Sequence, residues 1–294
     1  MSAQQLISLY LMEMNMNFQK SIFTLAVGLA LSPTIYASPI VFDAFNSNTL
    51  SANGTNQSSP EVELGFEINF FGERWDRTFV NENGNITFFN SFGSYTASSL
   101  AVADQTMIAP FFADVDAWRS VNDGIGSAVT YGQGFFEGYS AFGVNWIDVN
   151  SYVGSGESNN SFQLILVDRQ DDGEEGDFDI IFNYEDIFWE AGDLSTTAPL
   201  AGFSNPPPWG TVSNTRSTDT TFFELSGSGQ PGAFLNDGPH ALAFNSYNSD
   251  VEGRYIFEFR GDTDIFSVPE PATLFLLGSG LLGLAFARRR VLNG

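Results

Sequence analysis

The sequence predicts an all-β fold, a β-sandwich-like single domain flanked by an N-terminal signal peptide and a C-terminal hydrophobic helix. Three observations lead there. Val62, Leu64, Phe66, Ile68 and Phe70 alternate with Glu61, Glu63, Glu67 and Asn69, the period-2 pattern of a strand with one buried face. Short apolar runs recur along the chain between clusters of Gly, Asn, Ser and Asp. No capped amphipathic helix is legible between Ser38 and Val268. Many short strands with turn signals and no helices favour two packed sheets.

The elements follow in order. Ser47 to Pro60 is polar and rich in Gly, Ser and Asn, a linker or loop before the main sheet. After the strand at 62–70, Phe79-Val80 and Ile86 to Phe89 flank Asn83-Gly84, a favoured tight-turn dipeptide, so a hairpin is expected. Further strands are expected at Met107 to Ala113, Phe142 to Ile147, Phe162 to Val167, Phe178 to Tyr184, Phe222 to Leu225, Ala241 to Phe244 and Tyr255 to Phe259. The expected organisation is residues 1–37 signal peptide, 38–60 N-terminal strand and linker, 61–260 the main domain, and 261–294 tether and sorting segment.

Composition removes several function classes. The 294 residues carry 35 acidic against 11 basic side chains, a formal net charge of -24, which repels nucleic acid. A hydrophobic content of 43% with 30 Phe supplies a core, so the acidity does not signal disorder. With no cysteine and one histidine, thiolate sites, disulfides and multi-histidine metal centres are excluded.

The two ends have a different character. Lys20 precedes the apolar run Ser21 to Leu31, and small residues ending in Ala37 form a cleavage site before Ser38, the order of a secretory signal peptide. Glu13 is out of place in a positive leader, so the natural start is expected at Met14 or Met16. At the other end, Ala272 to Ala287 is uncharged and lies between Pro269-Glu270-Pro271 and Arg288-Arg289-Arg290. Taking away Glu13 and Glu270, and Lys20 with the three terminal arginines, leaves a body of 33 acids and 7 arginines, net -26 and without lysine.

The Pro-Glu-Pro, the short Leu/Gly-rich helix and the basic cluster together resemble the PEP-CTERM sorting signal of Gram-negative bacteria. That resemblance implies an exosortase as processing partner, with signal peptidase acting at Ala37 and transient membrane anchoring through the C-terminal helix. The alternative is a plain C-terminal anchor. A second resemblance spans most of the body. Phe70-Phe71-Gly72, Phe79 to Phe88, and Ile108-Ala109-Pro110-Phe111-Phe112-Ala113-Asp114-Val115-Asp116 are similar to the opening half of a nidogen-like (NIDO) domain. Phe162 to Leu166, Ile181 to Trp189 and Ala201-Gly202-Phe203 are similar to its closing half. The family occurs in extracellular matrix and cell-surface proteins such as nidogen, alpha-tectorin and mucin-like adhesins, which implies cell-matrix adhesion rather than catalysis.

Candidate chemistry is sparse. Asp114 and Asp116, two apart on an expected strand, put two carboxylates on one face, an arrangement a glycosidase satisfies only with a defined separation. His240 sits in the turn Asp237-Gly238-Pro239-His240, where an ordinary turn histidine is favoured over a triad member. The acidic run 168–179 offers Asp168, Asp172 and Asp179 as calcium ligands; a Gln at the third position and the missing flanking helices favour a solvated hairpin loop. No other cofactor is expected. Sequons at Asn53, Asn56, Asn85 and Asn159 carry no information in a bacterial setting. Trp209, after Pro206-Pro207-Pro208, suits either sugar stacking or packing. The expected function is therefore an exported, surface-associated adhesion or matrix protein whose partner is a matrix polysaccharide or surface protein. The alternatives are a secreted carbohydrate-active hydrolase and a structural coat protein.

Overall fold

The computed structural model describes residues 38–95, 99–102, 105–152, 159–192, 197–206 and 222–261. Two antiparallel sheets face each other. The first contains β1 (Asn48–Thr49), β7 (Thr130–Phe136), β8 (Tyr139–Ser151), β9 (Asn160–Asp168), β10 (Phe178–Asp186) and β13 (Arg254–Phe259) in that spatial order, with β6 (Val115–Asp116) pairing to β8. The second runs β12 (Phe222–Glu224), β11 (Leu200–Ser204), β5 (Met107–Phe112), β4 (Asn85–Thr87), β3 (Glu73–Asn81), β2 (Val62–Phe70). The expected strand at 62–70 has the boundaries read from its alternation, with Leu64, Phe66, Ile68 and Phe70 all buried.

The main core between the sheets is aromatic. Phe70, Phe111, Phe142, Phe162, Phe178, Phe182, Phe203, Trp146 and Tyr184 are each below 2% exposed. Trp146 stacks on Phe162 at 5.2 Å, and Phe178 on Phe259 at 4.7 Å. The Tyr184 hydroxyl donates to the carbonyl of Pro110 at 2.7 Å, linking β10 of one sheet to β5 of the other. Buried tyrosines need such a partner for their polar tip. Smaller clusters lie on the outer faces: Phe45, Phe136, Ala141, Ile165, Val167 and Ile181 on the first sheet, and Leu100, Met107, Ala109, Phe112 and Leu200 on the second. Strands β9 and β10 are therefore apolar on both faces, which explains why they appear in the sequence as continuous runs rather than alternations.

The hairpin expected at Asn83-Gly84 forms between β3 and β4. Its glycine has φ +74°, and a Cβ placed there would lie 1.8 Å from the carbonyl oxygen of Phe111. The backbones of Gly84 and Phe111 approach that closely because Phe111 N–H donates to Gly84 O at 3.3 Å.

Some expectations need correction. A helix is present: α1 (Ala117–Asn122) is six residues, too short to display a period, and is capped by the Asp116 carboxylate accepting from Arg119 N–H at 2.8 Å. Ala241 to Phe244, expected as a strand, contains a 3₁₀ turn at Leu242–Phe244. Four apolar residues give no length to separate the two. Within Ser47 to Pro60 the loop is tied to both sheets, since β1 pairs with β7 and Ser58 bridges to Asn81. Strand β7 escapes notice because Gly132 and Gly134 weaken its β signal.

Gly84→Ala and Gly72→Ala separate two effects in urea melts. Both residues have positive φ, but the space around Gly72 is open. Gly72→Ala should cost about 1–2 kcal/mol from backbone strain alone. Gly84→Ala should cost at least ~1–3 kcal/mol more through overlap with Phe111, or prevent folding. Equal losses would refute the close-approach account.

Candidate functional site

Two loops that carry the acidic and amide residues of the middle sequence meet at one end of the sandwich. Glu82, 1% exposed, accepts from Gln57 N–H and Ala117 N–H, both at 2.7 Å. Its backbone carbonyl takes the indole N–H of Trp146 at 2.9 Å. Asn83 accepts from Val115 N–H at 3.1 Å and donates to Asn56 Oδ1 at 2.7 Å. The turn Glu82–Gly84 thus fastens the segment at 56–57, the start of α1, β6 and β8 together.

Asp114 and Asp116 are both buried, 5% and 3% exposed. They do not share a strand face as expected: Asp114 precedes β6, while Asp116 ends it and caps α1. No hydrogen bond reaches the Asp114 carboxylate among the described residues, and a Cβ on Gly192 would lie 3.4 Å from its Oδ2. Burial, with Asp116 beside it, raises Asp114 to about 6. Burial likewise raises Glu82 to about 7, against the lowering effect of the backbone donors at Gln57 and Ala117.

The acidic run forms the hairpin loop between β9 and β10. Its three candidate ligands engage separate partners. Asp168 accepts from the backbone and side-chain amides of Gln170, and Asp172 lies beside the Tyr139 hydroxyl and raises its pKa. Asp179, with a side chain 4% exposed, accepts from Arg169 Nε and from an Arg260 terminal nitrogen, both at 2.6 Å. The Arg169 guanidinium also sits 4.2 Å over the Tyr139 ring. Among the described residues no group of three His, Cys, Asp or Glu side chains is placed to hold a metal. His240 N–H donates to Ala233 O at 2.9 Å, fixing its turn. Ala37, Pro269, Glu270, Pro271, Arg288, Arg289, Arg290 and Trp209 lie outside the described residues. Among those described, no helix is long and apolar enough to cross a membrane.

A feature not anticipated crosses the outer face of the first sheet. Thr130, Asn145, Gln163, Asn183 and Arg254 stand directly opposite one another on five adjacent strands. Their side chains form one chain of hydrogen bonds: Asn145 to Thr130 at 3.0 Å, Gln163 to Asn145 at 2.7 Å, Asn183 to Gln163 at 2.9 Å, and Arg254 to Asn183 at 2.9 Å. A single amide inside each of three apolar runs, at Asn145, Gln163 and Asn183, is the signal that could have revealed it.

The sequence profile of the nidogen-like domain matches residues 76–261. The chain belongs to the nidogen-like domain family. The PEP-CTERM protein-sorting motif matches residues 267–290. Mouse alpha-tectorin is 26% identical over 246 residues, covering 76% of this chain and 10% of that protein. Chicken alpha-tectorin is 25% identical over 274 residues, 84% and 12% respectively. Drosophila nidogen is 26% identical over 223 residues, 67% and 15%. The chain thus spans about a tenth of the length of the alpha-tectorins it matches. No solved structure matches. The nidogen-like domain and the adjoining sorting motif mark an exported protein of the cell surface or extracellular space.

Two predictions follow from the buried carboxylates. Glu82 and Asp114 hold a proton more tightly folded than at their ordinary values of 4.5 and 3.8. Their contribution to stability is complete below about pH 4 and is lost as pH rises through about 6 and 7. Asp114→Asn, a permanent mimic of the neutral acid, should melt above wild type at pH 8 and alike at pH 4; a lower melting temperature at pH 8 would sink this account. Asp179→Ala, which removes the carboxylate that Arg169 and Arg260 share, should cost about 1.5–3 kcal/mol in denaturant melts.

Proposed function

We propose that this protein is an exported bacterial adhesion or matrix component whose nidogen-like domain is the working part. The observation that carries the reading is adjacency: the family match ends at residue 261 and the sorting motif begins at 267. A sorting signal six residues beyond a single domain makes that domain the cargo. In this reading signal peptidase cuts after Ala37. The apolar segment 272–287 then holds the protein in the inner membrane of a Gram-negative cell, with Arg288-Arg289-Arg290 on the cytoplasmic side. An exosortase next acts near Pro269-Glu270-Pro271. The relatives, alpha-tectorin and nidogen, are extracellular matrix proteins, which supports a binding role.

A catalytic role is less well supported by the geometry. Glu82 and Asp116 are engaged by backbone N–H groups, so neither stands free beside Asp114 as the second carboxylate a glycosidase uses. The ligand must tolerate a body of net charge -26, which favours a neutral glycan or a basic protein over an acidic polysaccharide.

Mass spectrometry of the surface fraction tests the reading. The mature protein should begin at Ser38 and end before Arg288. A surface form that retains Arg288-Arg289-Arg290 would overturn processing, and a protein confined to the cytoplasm would overturn export.

A further inference from the structure

The row of polar side chains on the outer face of the first sheet has one visible occupant. Residues 39–45 lie across it as a strap, and the row reads the strap's backbone. Arg254 donates to Pro39 O at 2.9 Å; Gln163 accepts from Val41 N–H at 3.2 Å and donates to Val41 O at 3.1 Å; Asn145 donates to Ala44 O at 2.9 Å and Phe45 O at 3.2 Å. The strap then continues into β1, where Leu50 N–H donates to Val129 O at 2.8 Å.

Side chains complete the seat. Phe45 is 3% exposed and packs with Phe136, Ala141, Ile165, Val167 and Ile181. Its ring fills a hollow left by two glycines: a Cβ on Gly143 would come within 2.3 Å of it and one on Gly134 within 3.0 Å. Phe45 is held at φ +57°, a left-handed conformation that a phenylalanine adopts only when its surroundings impose it. Groove and strap are thus specific partners, joined by side-chain hydrogen bonds to the strap's backbone and by one aromatic anchor.

We propose that this groove is a peptide-acceptor site and that its partner in trans is the strap of a second copy of the chain. Three features carry the exchange. Every contact of the strap to the groove is made by residues 39–50, so a second copy's strap meets the same groove with nothing lost. The strap joins the body only through Ser51-Ala52-Asn53-Gly54-Thr55, outside any strand or helix, and this crossing ends on Asn56 at φ +58°. A short hinge loop of this kind is where segments swap between molecules. Finally, each copy gives one strap and takes another: two copies that exchange with each other close as a dimer, and exchange passed from copy to copy builds a head-to-tail chain. A chain of domains of this kind suits a matrix protein. The link to a matrix rests on the function proposed above; the exchange itself does not.

The absence of cysteine permits a direct test on protein running from Ser38 to Gly294 in detergent. One variant carries Ser47→Cys on the strap, another Gly132→Cys on β7, where a Cβ would lie 3.3 Å from that of Ser47 and the Phe45 anchor is left intact. Mixed under oxidising conditions they should give a disulfide-linked heterodimer, and excess synthetic peptide of residues 38–50 should remove it. The double variant should also form the bond within one chain. As a check without cysteines, native mass spectrometry of the unmodified protein should show oligomers that grow with concentration and vanish in Val41→Pro, which lacks the N–H that Gln163 accepts. If the double variant closes within the chain, the mixture stays monomeric and the unmodified protein is monomeric at all concentrations, exchange is overturned. Export and processing are decided separately by the termini of the cellular protein.

Discussion

Burying a tight turn between two sheets obliges every polar group in it to find a partner, because unpaired donors and acceptors are costly away from water. The Glu82–Gly84 turn meets that demand, and much of the molecule is arranged around the result. Its carboxylate receives two backbone N–H groups from opposite directions, Gln57 and Ala117, and its carbonyl receives the indole of Trp146 from the facing sheet. Gly84 permits contact with Phe111 that any side chain would block. The turn therefore sets the separation of the two sheets at that end and places α1, β6 and the segment at 56–57. It also surrounds Glu82 and Asp114 closely enough to favour their neutral forms.

The outer faces obey a related constraint. A sheet whose outer face were left bare would expose Ile165, Val167 and Ile181; the strap at 39–45 covers them. Because the cover is an irregular segment, its own carbonyls require donors, and the row from Thr130 to Arg254 supplies them. The amides in the row satisfy one another as well as the strap, as a buried polar network must. At the far edge of this sheet Asp179 draws Arg169 and Arg260 together and ties the ends of β9, β10 and β13 to one another.

The relatives of the nidogen-like domain point to a non-catalytic role. The carboxylates and amides with strong geometry point at backbone, holding loops in place, and the charge that remains free is spread over the surface of an anionic body. The nidogen-like domain, followed almost immediately by a sorting motif, belongs to an exported protein.

Fold class, the hairpin at Asn83-Gly84 and the strand at 62–70 were legible because each rests on local chemistry: positive φ at a turn, and alternation when one face is buried. The order of motifs from Phe70 to Phe203 also identified the family. What the sequence could not display was the pairing of distant positions. Asp114 and Asp116 are two residues apart in either account, yet only the folded chain decides that one caps a helix while the carboxylate of the other meets no donor among the described residues. Asn145, Gln163 and Asn183 look like isolated interruptions until strand register aligns them in a single row. Local propensity and periodicity act over a few residues and are written in the chain; register, burial and the partner of each polar group depend on contacts between residues up to 215 apart, as between Pro39 and Arg254, and only the tertiary structure decides them.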